Sequence, residues 1–429
     1  MLRASRPTLW QIARREALDH LSSLRFYVIV ATMAVLVGVS TFVMYRDYSL
    51  RMANHAVLRE RARPRPGESG VMAVVEPRPL SVFAKGLDEV MGRGYTVTAY
   101  MGIDVHDRQT QRESLFSLVP PPDLLYVVKT LVSLVALLFA FDAMSGEKER
   151  GTLKLTLSFA VSRGQLVAGK LAAGLAAVLA PLGVAWLAAL LVLSLQPDLV
   201  LGPAELARVA LMAGATALYA TFFFAVGLLI SALAKRSSQA LVVSLFVWAT
   251  VVFALPNVGN LVAEQMSPVS SAQSQEFARM QAFAKNRFIA IQHGRSDPAG
   301  TVGAFNREYD RAVEDQRVRL DRLAATSRAI GRATPAAALS HIFTEVAGTG
   351  LSDQRRLSRA LMEFKSRNLK ALELQNERGA PPLSVFEFPP VPLGEVLRDG
   401  AVVDLVWLGG LTALVLAGAF LAAMRTDPR

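Results

Sequence analysis

The 429-residue chain has no cysteine, which excludes disulfides, thiolate nucleophiles, cysteine-ligated zinc and iron–sulfur clusters. Charged residues are also scarce: they make up 19% of the chain, whereas 52% of the residues are hydrophobic. The five histidines show no metal-binding spacing, and the sequence contains no nucleophile element of the G-x-S-x-G kind. We therefore expect a non-catalytic chain without a metal, and the apolar bias excludes disorder and is unusual for a soluble protein.

Six apolar stretches are each long enough to cross a lipid bilayer. A hydrocarbon core of about 30 Å needs about 20 helical residues, and a helix satisfies its own backbone there. The sequence therefore predicts an all-α membrane protein with six transmembrane helices, at residues 26–44, 124–144, 171–195, 206–230, 239–255 and 401–424. Pro181 interrupts the third stretch, but packed neighbours can satisfy the carbonyl that a proline leaves free.

The basic residues predict the orientation of the chain. With both termini on the cytoplasmic side of the inner membrane, the segments 1–25, 145–170, 231–238 and 425–429 hold 14 Lys or Arg against 5 Asp or Glu. The short outer loop 196–205 holds Asp198 and Glu205 and no basic residue, as the positive-inside rule expects. These inner segments carry +9 of the net charge of +11, so the basic excess indicates contact with membrane lipid and not with nucleic acid.

The segments outside the predicted spans differ in character. Residues 1–25 predict an interfacial helix on the inner leaflet, and residues 425–429 a short cytoplasmic tail. The outer loop 45–122 contains the valine-rich run 71–75, which favours a strand, and Asp123 follows as a candidate N-cap for the second helix. The loop 257–400 has helical patterns at 272–293, 303–330 and 352–376, and these predict a large, mainly helical extracytoplasmic insertion between helices 5 and 6.

Several residues within the predicted spans have alternative interpretations. Lys129 either extends to the outer interface or lines a translocation path, and Arg208 and Asp404 lie near outer ends where a charge needs little explanation. Small residues recur at every fourth position, which predicts close packing inside the bundle in preference to a dimer seam. They are Ala168, Ala172, Ala176 and Ala180 in the third span, and Gly409, Ala413 and Ala417 in the sixth.

The run from Gly164 to Lys170 matches the first part of a phosphate-binding loop. Leu171, however, replaces the hydroxyl residue that would ligate magnesium, and no strand precedes the run. We therefore interpret the match as chance and expect any nucleotide to be bound by another polypeptide.

The stretch between the second and third predicted spans combines acidic, basic and turn-forming residues. It comprises Asp142, Ser145, Gly146, Glu147, Lys148, Glu149, Arg150, Gly151, Thr152 and Leu153, with Arg163 further on. Physically, this segment is either a solvated loop that joins two helices or a docking surface on the cytoplasmic side. The charges favour pairing with a partner, and the leucines could supply apolar contacts.

From Asp142 and Ser145 to Leu153, the stretch resembles the signature of ABC-2 type transporter permeases, where an acidic residue and then Ser-Gly-Glu-x-Glu-x-Gly-Thr-Leu end the second span. The six-span plan with a large insertion resembles the subgroup that has an extracytoplasmic domain. The resemblance implies that region 145–170 forms a coupling helix that binds a dimeric cytoplasmic ABC ATPase. ATP and Mg²⁺ would bind to that ATPase, and this chain would hold no cofactor.

The resemblance further implies an exporter with two permease subunits, identical or related. In that assembly Glu147 and Glu149 would pair with bases of the ATPase, and Lys148 and Arg150 with its acids, while Thr152 would cap a following helix. Two rival functions stay open: mechanical action of the outer domain on an extracytoplasmic protein partner, and a membrane-anchored receptor or scaffold without an ATPase.

Overall fold

A computed structural model describes most of the membrane-spanning part of the chain. The described residues are 14, 18, 21–62, 70–91, 94–98, 102–105, 122–151, 163–197, 199–266, 311, 314–315, 318–319, 321–323, 325–332, 334–373 and 383–425. Most of the predicted interfacial helix 1–25, half of the pattern 303–330 and the whole of 272–293 lie outside these residues, as do Thr152 and Leu153.

Six helices are long and apolar enough to cross a membrane, which confirms the predicted all-α membrane fold with six spans. We number these helices spans 1 to 6. Their bounds are Leu24–Arg61 for span 1, 124–140 for span 2, Arg163–Ser194 for span 3, Pro203–Leu233 for span 4, Ser237–Ala249 continuing to Met266 for span 5, and 393–425 for span 6. Successive spans run in opposite directions. We name the two ends of the bundle the joint end, where residues 145–151 lie, and the sheet end, where β-strands lie.

Local sequence signals account for the helix boundaries. The Asp123 carboxylate accepts a hydrogen bond from the Tyr126 amide at 2.8 Å, so the predicted N-cap of span 2 is confirmed. Span 3 continues through Pro181 without a break in the helix. Gly227 of span 4 lies against Leu137 and Ala140 of span 2, and this contact brings the two helices together near the joint end.

Three spans contain a five-residue π-helical segment. These segments are Val128–Val132 in span 2, Thr250–Ala254 in span 5 and Leu397–Ala401 in span 6, where Gly400 has a non-helical φ of +132° and kinks the helix. In the first, the carbonyl of Lys129 accepts a hydrogen bond from the buried Tyr219 hydroxyl of span 4 at 3.0 Å. Such widened turns depart from the regular hydrogen-bond ladder and are frequent at functional sites.

A small sheet stands at the sheet end. Strands β1 (Gly70–Val74), β2 (Gly94–Thr98) and β3 (Gly102–Val105) form an antiparallel sheet in the order β1-β2-β3, so the strand predicted at 71–75 is confirmed. The helix Leu351–Glu373, which we call the arm helix, confirms the pattern predicted at 352–376. Its Leu357, Leu361 and Phe364 share an apolar cluster with the buried face of the sheet.

Span 1 extends well beyond its predicted end at residue 44 and supports the sheet. The guanidinium of Arg51, which is buried, donates to the carboxylate of Asp88 and, at 3.1 Å, to the hydroxyl of Ser81. Leu58 of the same helix lies within van der Waals reach of Gly94 at the start of β2. The sheet is therefore tied directly to a membrane helix.

A thirteen-residue helix, Pro335–Ala347, is buried among the spans at the sheet end. We call it the inserted helix. Leu339, Ile342 and Phe343 are fully buried and belong to the same apolar cluster as the spans. Because thirteen helical residues are too few to cross a bilayer, this helix is not among the spans predicted from the sequence.

The two stripes of small residues do not face the interior of the bundle. Ala172, Ala176 and Ala180 of span 3 are exposed, as are Ala413 and Ala417 of span 6. The prediction of internal packing was therefore wrong for these positions. The neighbouring row of span 3, with Ala173 and Ala177, is buried instead.

Candidate coupling site at the joint end

The short helix Ser145–Glu149 carries the residues for which the sequence predicted a docking role, and we call it the joint helix. It follows span 2 after a four-residue turn and contacts the ends of spans 4 and 5. Gly146 packs closely, because a side chain there would meet the Arg150 guanidinium, the Ser237 hydroxyl and the Asp142 side chain. The site is thus assembled from the ends of several spans.

The hydroxyl of Ser231 in span 4 holds the start of the joint helix. It accepts hydrogen bonds from the backbone amides of Met144 and Ser145, each at 3.0 Å, and lies 3.2 Å from the Ser145 hydroxyl. Ser145 and Ser231 are fully buried. One side chain of span 4 therefore satisfies two amides at the beginning of a helix, where no intrahelical acceptor exists.

Lys148 binds the C-terminal end of span 4. Its ammonium donates to the carbonyl of Ala232 and, at 3.1 Å, to that of Ala234. Carbonyls in the last turn of a helix lack intrahelical donors and carry partial negative charge, so a lysine is a favourable partner. Lys148 thus has partners within the chain, and its pairing with an acid of the ATPase stays a prediction.

Glu147 is paired with span 3. Its carboxylate lies 2.7 Å from the ammonium of Lys170, and both side chains are largely buried. Glu147 thus has an ion-pair partner within the chain, and its contact with a partner protein stays a prediction. The run from Gly164 to Lys170 lies inside a continuous helix and forms no phosphate-binding loop.

Glu149 and Arg150 are exposed at the end of the joint helix. The Glu149 carboxylate accepts a hydrogen bond from the Ser237 amide at 3.0 Å, at the N-terminus of span 5, where an acid is favourable. Gly151 follows with a φ of +68°, a conformation that suits glycine, and within the described part of the chain no atom lies within 4 Å of where its side chain would be. Residues 149–151 are therefore the described part of the stretch that faces outward.

The other predicted site residues lie apart from this helix or outside the described part. Asp142 is half-buried in the turn before it, and its carbonyl accepts from the Gly146 amide at 2.9 Å. Arg163 begins span 3, but its side chain is not described. Lys129 lies near the other end of span 2, half-buried, with its ammonium 5.9 Å from the centre of the Tyr126 ring. The structure therefore does not bring Lys129 together with the joint helix.

Two charged residues that the sequence analysis set aside are buried and bonded at the sheet end. Arg208 donates to the carbonyls of Val346, at 2.8 Å, and Val391. The Asp404 carboxylate accepts from Arg332 at 2.6 Å. The prediction that these charges lie near the span ends without a specific role was therefore wrong. The signal that could have shown it is the acid Asp404 within an apolar helix.

Sequence reasoning also missed Lys170, Ser231 and Ser237, which hold the joint helix in place. Lys170 drew attention only through a chance motif. The two serines carry no local signal, because their importance depends on which helix ends meet in the fold.

Comparison with known proteins places this sequence in a family. The sequence model described as ABC-2 family transporter protein matches residues 10–297, well over half of the chain. A probable ABC transporter permease protein, NosY of Pseudomonas aeruginosa, is 39% identical over 119 residues, which are 28% of this chain and 43% of that relative. The chain thus spans less than half of the length of that relative. On the family match and the six spans, this multi-pass membrane protein is a transporter membrane subunit that belongs to the ABC-2 family.

Proposed function

We propose that the chain is the permease subunit of an ATP-driven exporter and that a separate ABC ATPase binds at the joint end. The observation that carries this proposal is the set of contacts made by the joint helix. Five residues at the end of span 2 bind span 3 through Lys170, span 4 through Ser231 and the Ala232 carbonyl, and span 5 through the Ser237 amide. A displacement of the joint helix therefore acts on four spans at once.

In this assembly the joint end faces the cytoplasm of the inner membrane, as do both termini. Two permease subunits, identical or related, would stand above two ATPase subunits, which bind ATP and Mg²⁺. ATP-driven movement of the ATPase would displace residues 145–163 as a body, and the spans would reorganise around the path. Because Glu147 and Lys148 are bonded within the chain, the outward-facing Glu149 and Arg150 are the described charges available to the ATPase.

The proposal is tested by co-expressing the chain with its proposed ABC ATPase and purifying the two together. Arg150→Glu is expected to weaken the complex at least about tenfold, since reversing a charge at an interface creates like-charge contacts. The matched control is Arg367→Glu on the arm helix, because that side chain is 71% exposed at the opposite end. Complex formation measured by co-purification and titration should fall for Arg150→Glu alone.

Orientation is tested on the same chain. It has no cysteine, so Arg150→Cys provides a single thiol for a membrane-impermeant maleimide. We expect labelling in inside-out vesicles and none in intact cells. Labelling from outside the cell, or an unchanged complex with Arg150→Glu, would contradict the proposed function.

A mechanical function on an extracytoplasmic partner is the second candidate, and one contact favours it. The Thr349 hydroxyl, between the inserted and arm helices, donates to the Ala84 carbonyl at 2.9 Å, and the Thr349 carbonyl accepts from the Leu87 amide at 2.9 Å. These bonds connect the segment between β1 and β2 to a helix that is buried among the spans. Motion of the spans would thus reach the surface on which a partner could bind.

A further inference from the structure

The inserted helix lies in a pocket formed by several spans, which we call its seat. It packs on spans 4 and 6 and contacts the π-helical segments of spans 2, 5 and 6. Phe343 also lies against span 3, with its ring centre 6.3 Å from that of Trp186. Five of the six spans therefore meet around one short helix, at the level where three of them depart from regular α-helical geometry.

Charged residues hold the two ends of this helix. Arg332, just before its start, bonds the Asp404 carboxylate of span 6, which is 1% exposed. Arg328 bonds Glu345 near the other end at 2.8 Å, and Arg208 of span 4 donates to the Val346 carbonyl. Removing one partner of such a pair leaves a buried carboxylate uncompensated, so the Arg332–Asp404 and Arg328–Glu345 pairs restrain an otherwise apolar seat.

The seat also contains two polar atoms without a described hydrogen-bond partner, and two glycines follow the inserted helix. One Asp404 oxygen and the His341 Nδ1 atom lie 4.0 Å apart, and among the described residues neither has a hydrogen-bond partner. Gly348 ends the helix with a φ of +74°, and at Gly350 a side chain would collide with the Glu345 carboxylate. Buried groups that stay unsatisfied reduce the stability of an arrangement, and these glycines join the inserted helix to the arm helix.

Resting on the proposed function, we propose that the inserted helix is a plug that leaves its seat when the sheet end of the path opens, and that the Arg332–Asp404 pair is its latch. A plug explains why a short apolar helix from the insertion lies among the spans. It also explains why ion pairs and a carbonyl contact lie at its two ends, because such contacts can be exchanged for others when the helix moves.

The plug is tested by thiol accessibility in proteoliposomes. Ala336→Cys introduces a thiol at a fully buried position of the plug, and Ser358→Cys introduces an exposed reference on the arm helix. With the latch intact, an impermeant maleimide should label Ser358→Cys and leave Ala336→Cys protected. Adding Arg332→Ala or Asp404→Asn should increase the labelling rate of Ala336→Cys at least about tenfold.

Two controls make the result decisive. Arg367→Ala removes an exposed ion pair, with side chains 71% and 67% exposed, and should leave Ala336→Cys protected. Ala73→Cys in the core of the sheet should stay protected in every variant that folds. Protection of Ala336→Cys in folded latch variants would overturn the plug without touching the proposed coupling to an ATPase.

If a latch variant unfolds, the plug is tested instead in the chain with Arg332 and Asp404 unchanged, in complex with its ATPase. Ala336→Cys should react faster during ATP turnover than with ADP. Turnover itself is measured as phosphate release, so a failed ATPase partnership is recognised separately. Active turnover with unchanged protection of Ala336→Cys would overturn the plug.

His341 gives the seat a pH dependence. Burial lowers the pKa of His341 below its usual value of about 6.5, although Asp404 of span 6 acts in the opposite direction, and Arg328 and Arg332 lower the pKa further. A lowered pKa means that the seated helix prefers neutral His341. The contribution to stability is therefore complete above about pH 6.5 and is lost as the pH falls below that value. Labelling of Ala336→Cys relative to Ser358→Cys should rise on acidification, and His341→Gln should remove most of that rise.

Discussion

Gly227→Ala should destabilise the purified chain by about 1–3 kcal/mol, the usual cost of overpacking a tight contact. The added Cβ would lie 2.8 Å from the Cβ of Ala140, 2.9 Å from the Leu137 carbonyl oxygen and 3.4 Å from the Leu137 Cα. Backbone atoms cannot move aside as a flexible side chain can. Spans 2 and 4 would have to separate immediately before the joint helix, so coupling to the ATPase should weaken together with stability.

The same span supplies a matched control. Gly214→Ala also replaces a helical glycine of span 4, but no atom of the described residues lies within 4 Å of the added Cβ. Helix propensity favours alanine over glycine by about 1 kcal/mol, so this variant should be neutral or more stable. Thermal unfolding in detergent would compare the two, and equal midpoints would show that spans 2 and 4 do not approach as closely as described.

Glu147→Lys should uncouple the joint helix from span 3. It replaces an ion pair at 2.7 Å by two facing ammonium groups, both largely buried, and breaking such a pair costs about 3–5 kcal/mol. The double variant Glu147→Lys with Lys170→Glu restores opposite charges in reversed order. We expect it to recover most of the lost thermal stability and of the ATPase activity measured in the complex.

The charge swap separates two explanations of Glu147. If this residue acted by binding a base on the ATPase, reversing Lys170 as well would not restore the complex. The control is Glu363→Lys on the arm helix, whose exposed pair with Arg367 should contribute no more than about 1 kcal/mol. Failure of the double variant to recover, with an unchanged control, would contradict the assignment of Glu147 to span 3.

Hydropathy was sufficient to predict the six spans, because crossing a bilayer depends on length and composition along one segment. Caps are local in the same sense, so Asp123 could be recognised before the fold was known. The valine-rich run between turn signals also located the strand at 71–75, and a helical pattern located the arm helix. In each case the decisive interactions lie within a few residues of one another.

What the sequence could not predict depends on helices that meet only in the fold. Lys170 reaches Glu147, and Ser231 reaches Ser145, because spans 3 and 4 end beside the joint helix. The inserted helix, at thirteen residues, is too short to register as a span. The alanine stripe of span 3 was predicted to face the bundle interior but is exposed. Spacing shows that these residues share one face of the helix, but not what that face contacts.

Span 1 sets the height at which the sheet stands. At about 1.5 Å per residue, its 38 residues measure about 57 Å, nearly twice the hydrocarbon thickness of about 30 Å. Span 1 is one uninterrupted helix, and Arg51 bonds the segment before β2 to it. A protein that binds the sheet would therefore meet it at a fixed distance from the membrane-spanning part of span 1.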